Sequence, residues 1–144
     1  MPEIINRFKG KYRFLSNFYP CEIEYNGIKY TTLEHAYQAS KTLNNESRKK
    51  IAEKKTPALA KKMGRRVPLR KNWEEIKLKI MEKLVRIKFS THPDLKSKLL
   101  DTGDAELIEG NNWGDNYWGV YNGKGENHLG KILMKIREEL QNKE

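Results

Sequence analysis

A single cysteine, Cys21, excludes an intramolecular disulfide, so stability has to come from a packed core. A lone thiol is easier to keep in a reducing compartment than in a secreted protein, and the cytosol is the expected location. No apolar run approaches the roughly 18 residues that a membrane span needs. No charged, apolar and small-residue succession marks a signal peptide either, and a soluble, unanchored protein with no membrane partner is expected. His35, His92 and His128 stand far apart, outside any Cys/His/carboxylate spacing typical of zinc, so neither a metal nor a cofactor is expected. Gly119-x-x-x-Gly123-Lys124-Gly125 lacks the spacing and the Ser/Thr of a phosphate-cradling loop, which argues against nucleotide hydrolysis. Cys21 follows Pro20 without a catalytic signature and reads as a small buried hydrophobe.

The 144 residues contain no repeat, low-complexity tract or Gly/Ser linker, and one domain spanning residues 1–144 is expected. The net charge of +10 conceals a division. Lys41 to Lys98 holds 19 basic and 6 acidic residues, whereas Leu99 to His128 holds one basic residue and six acids. A basic middle either attracts phosphates or is the wet face of lysine-rich helices.

Around Asn26-Gly27, the run Ile23 to Tyr30 alternates apolar and polar residues, and both turn residues tolerate the positive φ of a type I′ turn. This predicts a β-hairpin. Thr31 or Thr32 offers a cap for a first helix that carries Leu33, Ala36, Tyr37 and Ser40 up to about Leu43. A second helix is expected over Glu46 to Lys54, and a third starts with Thr56 as cap and Pro57 at its first position and ends before Gly64. From Asn72 to about Phe89, Trp73, Ile76, Ile80, Leu84 and Ile87 recur at spacings of three and four, which predicts a core helix. Another helix follows Thr91-His92-Pro93 with Leu95, Leu99 and Leu100, and a last one runs from about Leu129 to Leu140. The fold class is therefore α+β, a mostly helical single domain with a small β-hairpin or sheet. Between the last two helices, Glu109 to Asn127 carries five glycines, five asparagines and four large aromatics, too many turn formers for a helix or a long strand. A long structured loop is the expected form, and such loops often carry function.

Trp113 and Trp118 in that loop either stack a heteroaromatic ring or anchor the loop on the core. Asp115, between them, offers acceptors for a base edge or a ribose. On the first helix, Glu34, Tyr37, Gln38 and Lys41 fall at i, i+3, i+4 and i+7, aligning a carboxylate, a phenol, an amide and an amine on one face. Cleavage of a sugar–nitrogen bond develops oxocarbenium character, which a carboxylate stabilises while it or a partner activates water; Glu34 and Asp115 are the natural pair. Lys41 could instead attack a ring-opened sugar aldehyde, provided its surroundings depress its pKa.

In order along the chain, Arg13-Phe14-Leu15-Ser16-Asn17-Phe18-Tyr19-Pro20, Glu34-His35-Ala36-Tyr37-Gln38-Ala39-Ser40-Lys41, Gly64-Arg65 with Arg70, Asn72 and Trp73, Lys88-Phe89, Leu99-Leu100-x-Thr102-Gly103, Asp115-x-x-Trp118-Gly119 and Gly125-x-Asn127-x-Leu129-Gly130 resemble the ordered motifs of the NADAR (YbiA-like) family. The resemblance spans about Asn6 to Glu139. It implies a compact α+β fold and hydrolysis of N-glycosidic bonds, either in ribosylamino-pyrimidine phosphate intermediates of riboflavin biosynthesis or between ADP-ribose and guanine in nucleic acid. It further implies Glu34 as catalytic carboxylate, Lys41 as active-site amine, Asp115 as second acid, and Trp73 and Trp118 as pocket aromatics. Arg13, Ser16, Asn17 and Phe18 would line the pocket, with Gly64-Arg65 and Arg70 on the phosphate side. The expected partner is then an ADP-ribosyl or ribose-phosphate substrate, with nucleic acid as carrier of the modified base. The basic segment leans toward the guanine substrate. A non-catalytic module that binds ADP-ribose or nucleic acid is the alternative of a different class.

Overall fold

The computed structural model describes residues 3–143. These form two compact units, one from the residues before Asn17 together with those from Phe89 onward, the other Asn17–Lys88. Both mix helices with short strands, as expected for an α+β protein.

The Asn17–Lys88 unit opens with the hairpin that Asn26-Gly27 predicts: strands Pro20–Tyr25 and Ile28–Thr32 pair antiparallel, Ile23 opposite Tyr30 and Tyr25 opposite Ile28.

 
 Asn26 and Gly27 take φ of 52° and 79°, the left-handed pair that a type I′ turn requires. Ile23 and Tyr30 face inward and are almost wholly buried. Helix α1, Leu33–Ala39, follows directly, capped by Thr32, whose hydroxyl accepts from His35 N–H at 3.1 Å. It stops short of Leu43. Ser40 Oγ bonds back to Ala36 O, and the N–H groups of Lys41 and Thr42 reach only three residues back, to Gln38 and Ala39, so the last turn tightens and ends.

Helices α2, Asn45–Ala52, and α3, Pro57–Gly64, pack against α1. Their caps are side-chain acceptors, Asn44 for Ser47 N–H and Thr56 for Leu59 N–H, and Pro57 occupies the position where a missing N–H costs nothing. Helix α4, Trp73–Thr91, buries Trp73, Ile80 and Leu84 as its apolar spacing predicts, but Ile76 and Ile87 are only half-buried. Met81, Val85 and Lys88 are buried instead, so the inward face is displaced from the expected stripe. Cys21 is half-buried rather than a core residue.

In the other unit, the strand Ile4–Ile5 pairs parallel with Glu106–Leu107, and a 3-10 helix, Gly10–Leu15, buries Phe14 and Leu15. Helix α5, Pro93–Asp101, packs on α6, His128–Asn142, which turns Leu129, Ile132, Leu133, Ile136 and Leu140 inward. Phe14 meets Phe89 edge to face at 6.4 Å between ring centres. Within the Glu109–Asn127 segment only two two-residue strands form, Gly110–Asn111 and Val120–Tyr121, paired in parallel. Among the described residues, no helix is long and apolar enough to cross a membrane.

Lys88 supplies a stability prediction. Its side chain is 1% exposed, with the ammonium 5.8 Å from the Tyr19 ring centre. Burial lowers its pKa from the ordinary 10.5 to about 8, partly offset by Cys21. A lysine held below its unfolded value destabilises the fold fully below about pH 8, and that cost disappears as pH rises toward 10.5. Lys88→Met is expected to unfold at higher denaturant concentration than wild type at pH 7, by about 1–3 kcal/mol after allowing for lost contacts. The gap between the two should close by pH 10.5 in parallel urea titrations.

Candidate active site

All seven residues of α1 are buried, Glu34, His35 and Gln38 among them. A carboxylate withdrawn from water is costly unless hydrogen-bonded or paired with a charge. Gln38 Nε2 donates to Glu34 Oε2 at 2.6 Å, one helical turn away. The Glu34 N–H donates to Asn17 O at 3.1 Å, fixing the start of the helix against the preceding segment. His35 points to another side, its ring nitrogens at 2.7 Å from Thr32 Oγ1 and 2.9 Å from Lys54 O.

Lys41 lies just past α1, its Nζ 5.9 Å from the centre of the Tyr37 ring. Burial pushes the Lys41 ammonium below the ordinary lysine value, Glu34 pulls it back up, and Arg65, Lys61 and Lys77 push it down again. Tyr37 in turn packs on Trp73 at 5.4 Å between ring centres and 52° between planes. The i, i+3, i+4 and i+7 alignment of Glu34, Tyr37, Gln38 and Lys41 is therefore a physical cluster. Trp73 is 5% exposed and backs Tyr37, which accounts for both its place on the core stripe and its nearness to this cluster.

Gly64 packs directly on Gln38. A Cβ there would stand 1.9 Å from Gln38 Oε1, so the bare backbone makes room for the amide that holds Glu34. Arg70 is tied to the same turn: its N–H donates to Lys41 O at 2.8 Å and its Nη1 to Ser40 O at 3.4 Å, while Nε is buried with no partner among the described residues. Arg65 is exposed, and Phe18 is 40% exposed. Lys61 and Lys77, which act on Lys41, were not among the residues expected from the sequence. No spacing rule marks them, because they reach the amine from different helices.

The remaining expected residues belong to the other unit. Arg13 is exposed at the end of the 3-10 helix, and Ser16 caps that helix with its N–H on Arg13 O. Asp115 organises its loop: Oδ1 accepts from the N–H groups of Tyr117 at 3.1 Å and Trp118 at 2.9 Å. Asn111 clasps the backbone of Asp115 from both ends, accepting from its N–H at 3.0 Å and donating to its O at 2.7 Å. Trp118 is half-buried and meets Tyr117 edge to face at 4.9 Å, and His128 packs on Tyr117 at 4.5 Å with the rings tilted by 52°. Trp113 is 56% exposed, so it presents its ring to solvent and does not anchor the loop on the core. Asn122-Gly123, at φ 52° and 75°, makes a second tight turn closed by Tyr121 and Lys124, a signal the sequence carried inside a segment read only as loop.

Among the described residues, no group of three or more histidines, cysteines or acids could hold a metal ion.

A family model described as the NADAR domain matches residues 5–141. The chain is 43% identical over 132 residues to the N-glycosidase YbiA of Shigella boydii, covering 90% of this chain and 82% of that protein. It is 40% identical over 131 residues to a riboflavin biosynthesis protein of Vibrio vulnificus, covering 89% of this chain but 35% of that longer protein. The NMR structure of the Escherichia coli protein YbiA is similar at a TM-score of 0.86 and 40% identity, over 99% of this chain and 88% of that one. The chain belongs to the NADAR family.

Two substitutions test the local geometry. Alanine normally favours a helix over glycine by about 1 kcal/mol, yet Gly64→Ala should destabilise by about 1–3 kcal/mol because the amide of Gln38 must move. Equilibrium unfolding measures the sign, and a stabilised variant would show that Gln38 yields without cost. Asp115→Ala should loosen the loop while Asp115→Asn, which keeps an acceptor oxygen, largely preserves it. Amide hydrogen exchange at Tyr117 and Trp118 distinguishes the two, with faster exchange expected only in the alanine variant.

Proposed function

We propose that this member of the NADAR family, an N-glycosidase, removes ADP-ribose from guanine bases of nucleic acid. The observation that carries the reading is the buried Glu34 carboxylate, oriented by Gln38 and lying close enough to Lys41 to act on its charge. As the bond between the ribose C1 and the base nitrogen breaks, positive charge grows on the sugar. A pre-oriented carboxylate in a water-poor setting stabilises that charge without having to reorganise. The base leaves with the bonding pair, water adds to C1 and gives its proton to Glu34, and that proton is passed on to the departed nitrogen, which regenerates the carboxylate. The route extends to nitrogen the logic of paired carboxylates at oxygen glycosides.

Support for a diphosphate-bearing substrate comes from the charges around Lys41. Arg65, Lys61 and Lys77, the last of them paired with Glu74 at 2.7 Å, act on Lys41 as positive charges against that of Glu34, and the buried Arg70 Nε is a donor suited to a phosphate oxygen. The same surroundings favour a neutral amine at Lys41, and a neutral amine could attack a ring-opened sugar to form a Schiff base. Asn17 and Phe18 are the residues of this unit expected to contact sugar or phosphate, with Tyr37 and Gln38 as further substrate contacts.

A second reading has its own observation, the similarity to a riboflavin biosynthesis protein. It would have the same carboxylate cleave a ribosylamino-pyrimidine phosphate. Incubation with ADP-ribosylated guanosine and, separately, with a ribosylamino-pyrimidine phosphate, followed by mass spectrometry, separates the two. Free ADP-ribose is expected from the first, and product from the second alone would replace the preferred substrate. Glu34→Gln should lower kcat by about 10²–10⁴-fold, the range for loss of an acid–base group, with ADP-ribose binding kept. Wild type that binds ADP-ribose without turnover on either substrate, and matches the variant, would make the chain a binding module. Borohydride trapping that leaves an adduct on Lys41 would assign the attack to the amine rather than to water.

A further inference from the structure

We propose that a shallow groove beside α3, lined by Lys54, Leu59, Lys62, Met63 and Arg66, docks the phosphodiester backbone of a single-stranded nucleic acid. The proposal rests on the reading that the modified base is presented in nucleic acid, and it names a contact surface remote from the cleaved bond in the chemistry it performs.

Three of the five lining residues are cations and none is an acid. Among the described residues, no carboxylate pairs with Lys54, Lys62 or Arg66. Like charges gathered in one concavity repel unless an anion joins them, and these three come from two elements of the chain. Lys54 follows α2, Lys62 lies in the last turn of α3, and Arg66 lies beyond its end. Lys54 is no loosely held residue, since its carbonyl is bound by the buried ring of His35 on α1, next to Glu34. A solvated lysine face would need no such convergence.

The cavity is about 250 Å³. That falls below the roughly 300–1,000 Å³ of sites that enclose a whole small molecule. It suits a sugar–phosphate unit that passes through. Leu59, 44% exposed, and Met63 give the groove an apolar floor against which a sugar or a base can lie while cations take the phosphate.

Helix α3 links the groove to the catalytic cluster. Lys61 and Arg65, four residues apart, act on Lys41. Lys62 and Arg66 each follow by one residue, rotated by about 100° around the axis, and line the groove. One helix end therefore carries two adjacent cationic rows, one serving the substrate's own phosphates and the other the strand that bears it.

The test uses the whole chain. Anisotropy with an unmodified, labelled single-stranded oligonucleotide is titrated with salt for wild type and for the Lys62→Gln/Arg66→Gln double variant. Loss of two phosphate contacts should reduce the magnitude of the salt slope by about 1.4 and weaken binding about tenfold at low salt. Lys54→Gln alone, should the double variant unfold, is expected to reduce the slope by about 0.7. With ADP-ribosylated oligonucleotide the double variant should show raised KM at unchanged kcat, and with the ADP-ribosylated mononucleoside no change in either. An unchanged slope and affinity in folded variants would overturn the groove, as would equal binding of polyglutamate and oligonucleotide by wild type. Because the anisotropy arm needs no turnover, an absent reaction with ADP-ribosylated guanosine would overturn the proposed substrate while leaving the groove to be judged on its own slope.

Discussion

The hydrogen bond from Gln38 to Glu34 is the constraint on which the polar cluster of α1 depends. A helix with no exposed face has no water to satisfy a carboxylate, so the partner has to be built from the helix itself or from what packs on it. An amide one turn later supplies it, and the amide needs space that only a residue without a side chain leaves, which places Gly64 of α3 under direct steric demand. Sequence, helix packing and chemistry thus meet at one contact: the identity of residue 64 sets the position of residue 38, which sets the lone pairs of residue 34.

The same burial sets the electrostatics around Lys41. Withdrawing its ammonium from water lowers its proton affinity, and the nearby carboxylate opposes that effect while three cations reinforce it. The balance leaves a region where negative charge from a substrate would be welcome. Lys77 is itself paired with Glu74 at 2.7 Å, so part of its charge is already offset. Negative charge beside Lys41 would raise its proton affinity, so an anion bound there and the protonation of the amine are linked.

Much of the fold was legible because local rules and tertiary packing agree. Asn26-Gly27 declares its hairpin, Thr56-Pro57 declares a helix start, and the spacing of Ile132, Leu133 and Ile136 declares the inward face of α6. What escaped is what local pattern does not encode. Paired strands of two residues, such as Ile4–Ile5 with Glu106–Leu107, are too short to show a period and are joined across a hundred residues. On α4 the apolar positions adjoin one another, so a stripe read through Ile76 and Ile87 lies one position away from the face that buries Met81, Val85 and Lys88. The cluster on α1 could be read because its members lie on one short segment; Gly64, Lys61 and Lys77 could not, because only packing brings them there.

Asp115 shows why residue type alone is a weak guide in a loop rich in glycine. Such a loop has few regular backbone partners, and its N–H groups need acceptors from somewhere. Asp115 serves Tyr117 and Trp118, Asn111 serves Asp115, and Asn127, itself at φ 53°, bridges Glu109 N–H and Leu107 O. These polar side chains are spent on shape, with a ligand-facing role left to what they hold in place. A carboxylate whose oxygen already accepts two backbone N–H groups gives up loop order if it moves to take a proton. Glu34 accepts instead from a side-chain amide one turn along its own helix, so the bond that orients it and the bonds that shape the loop around Asp115 are of different kinds.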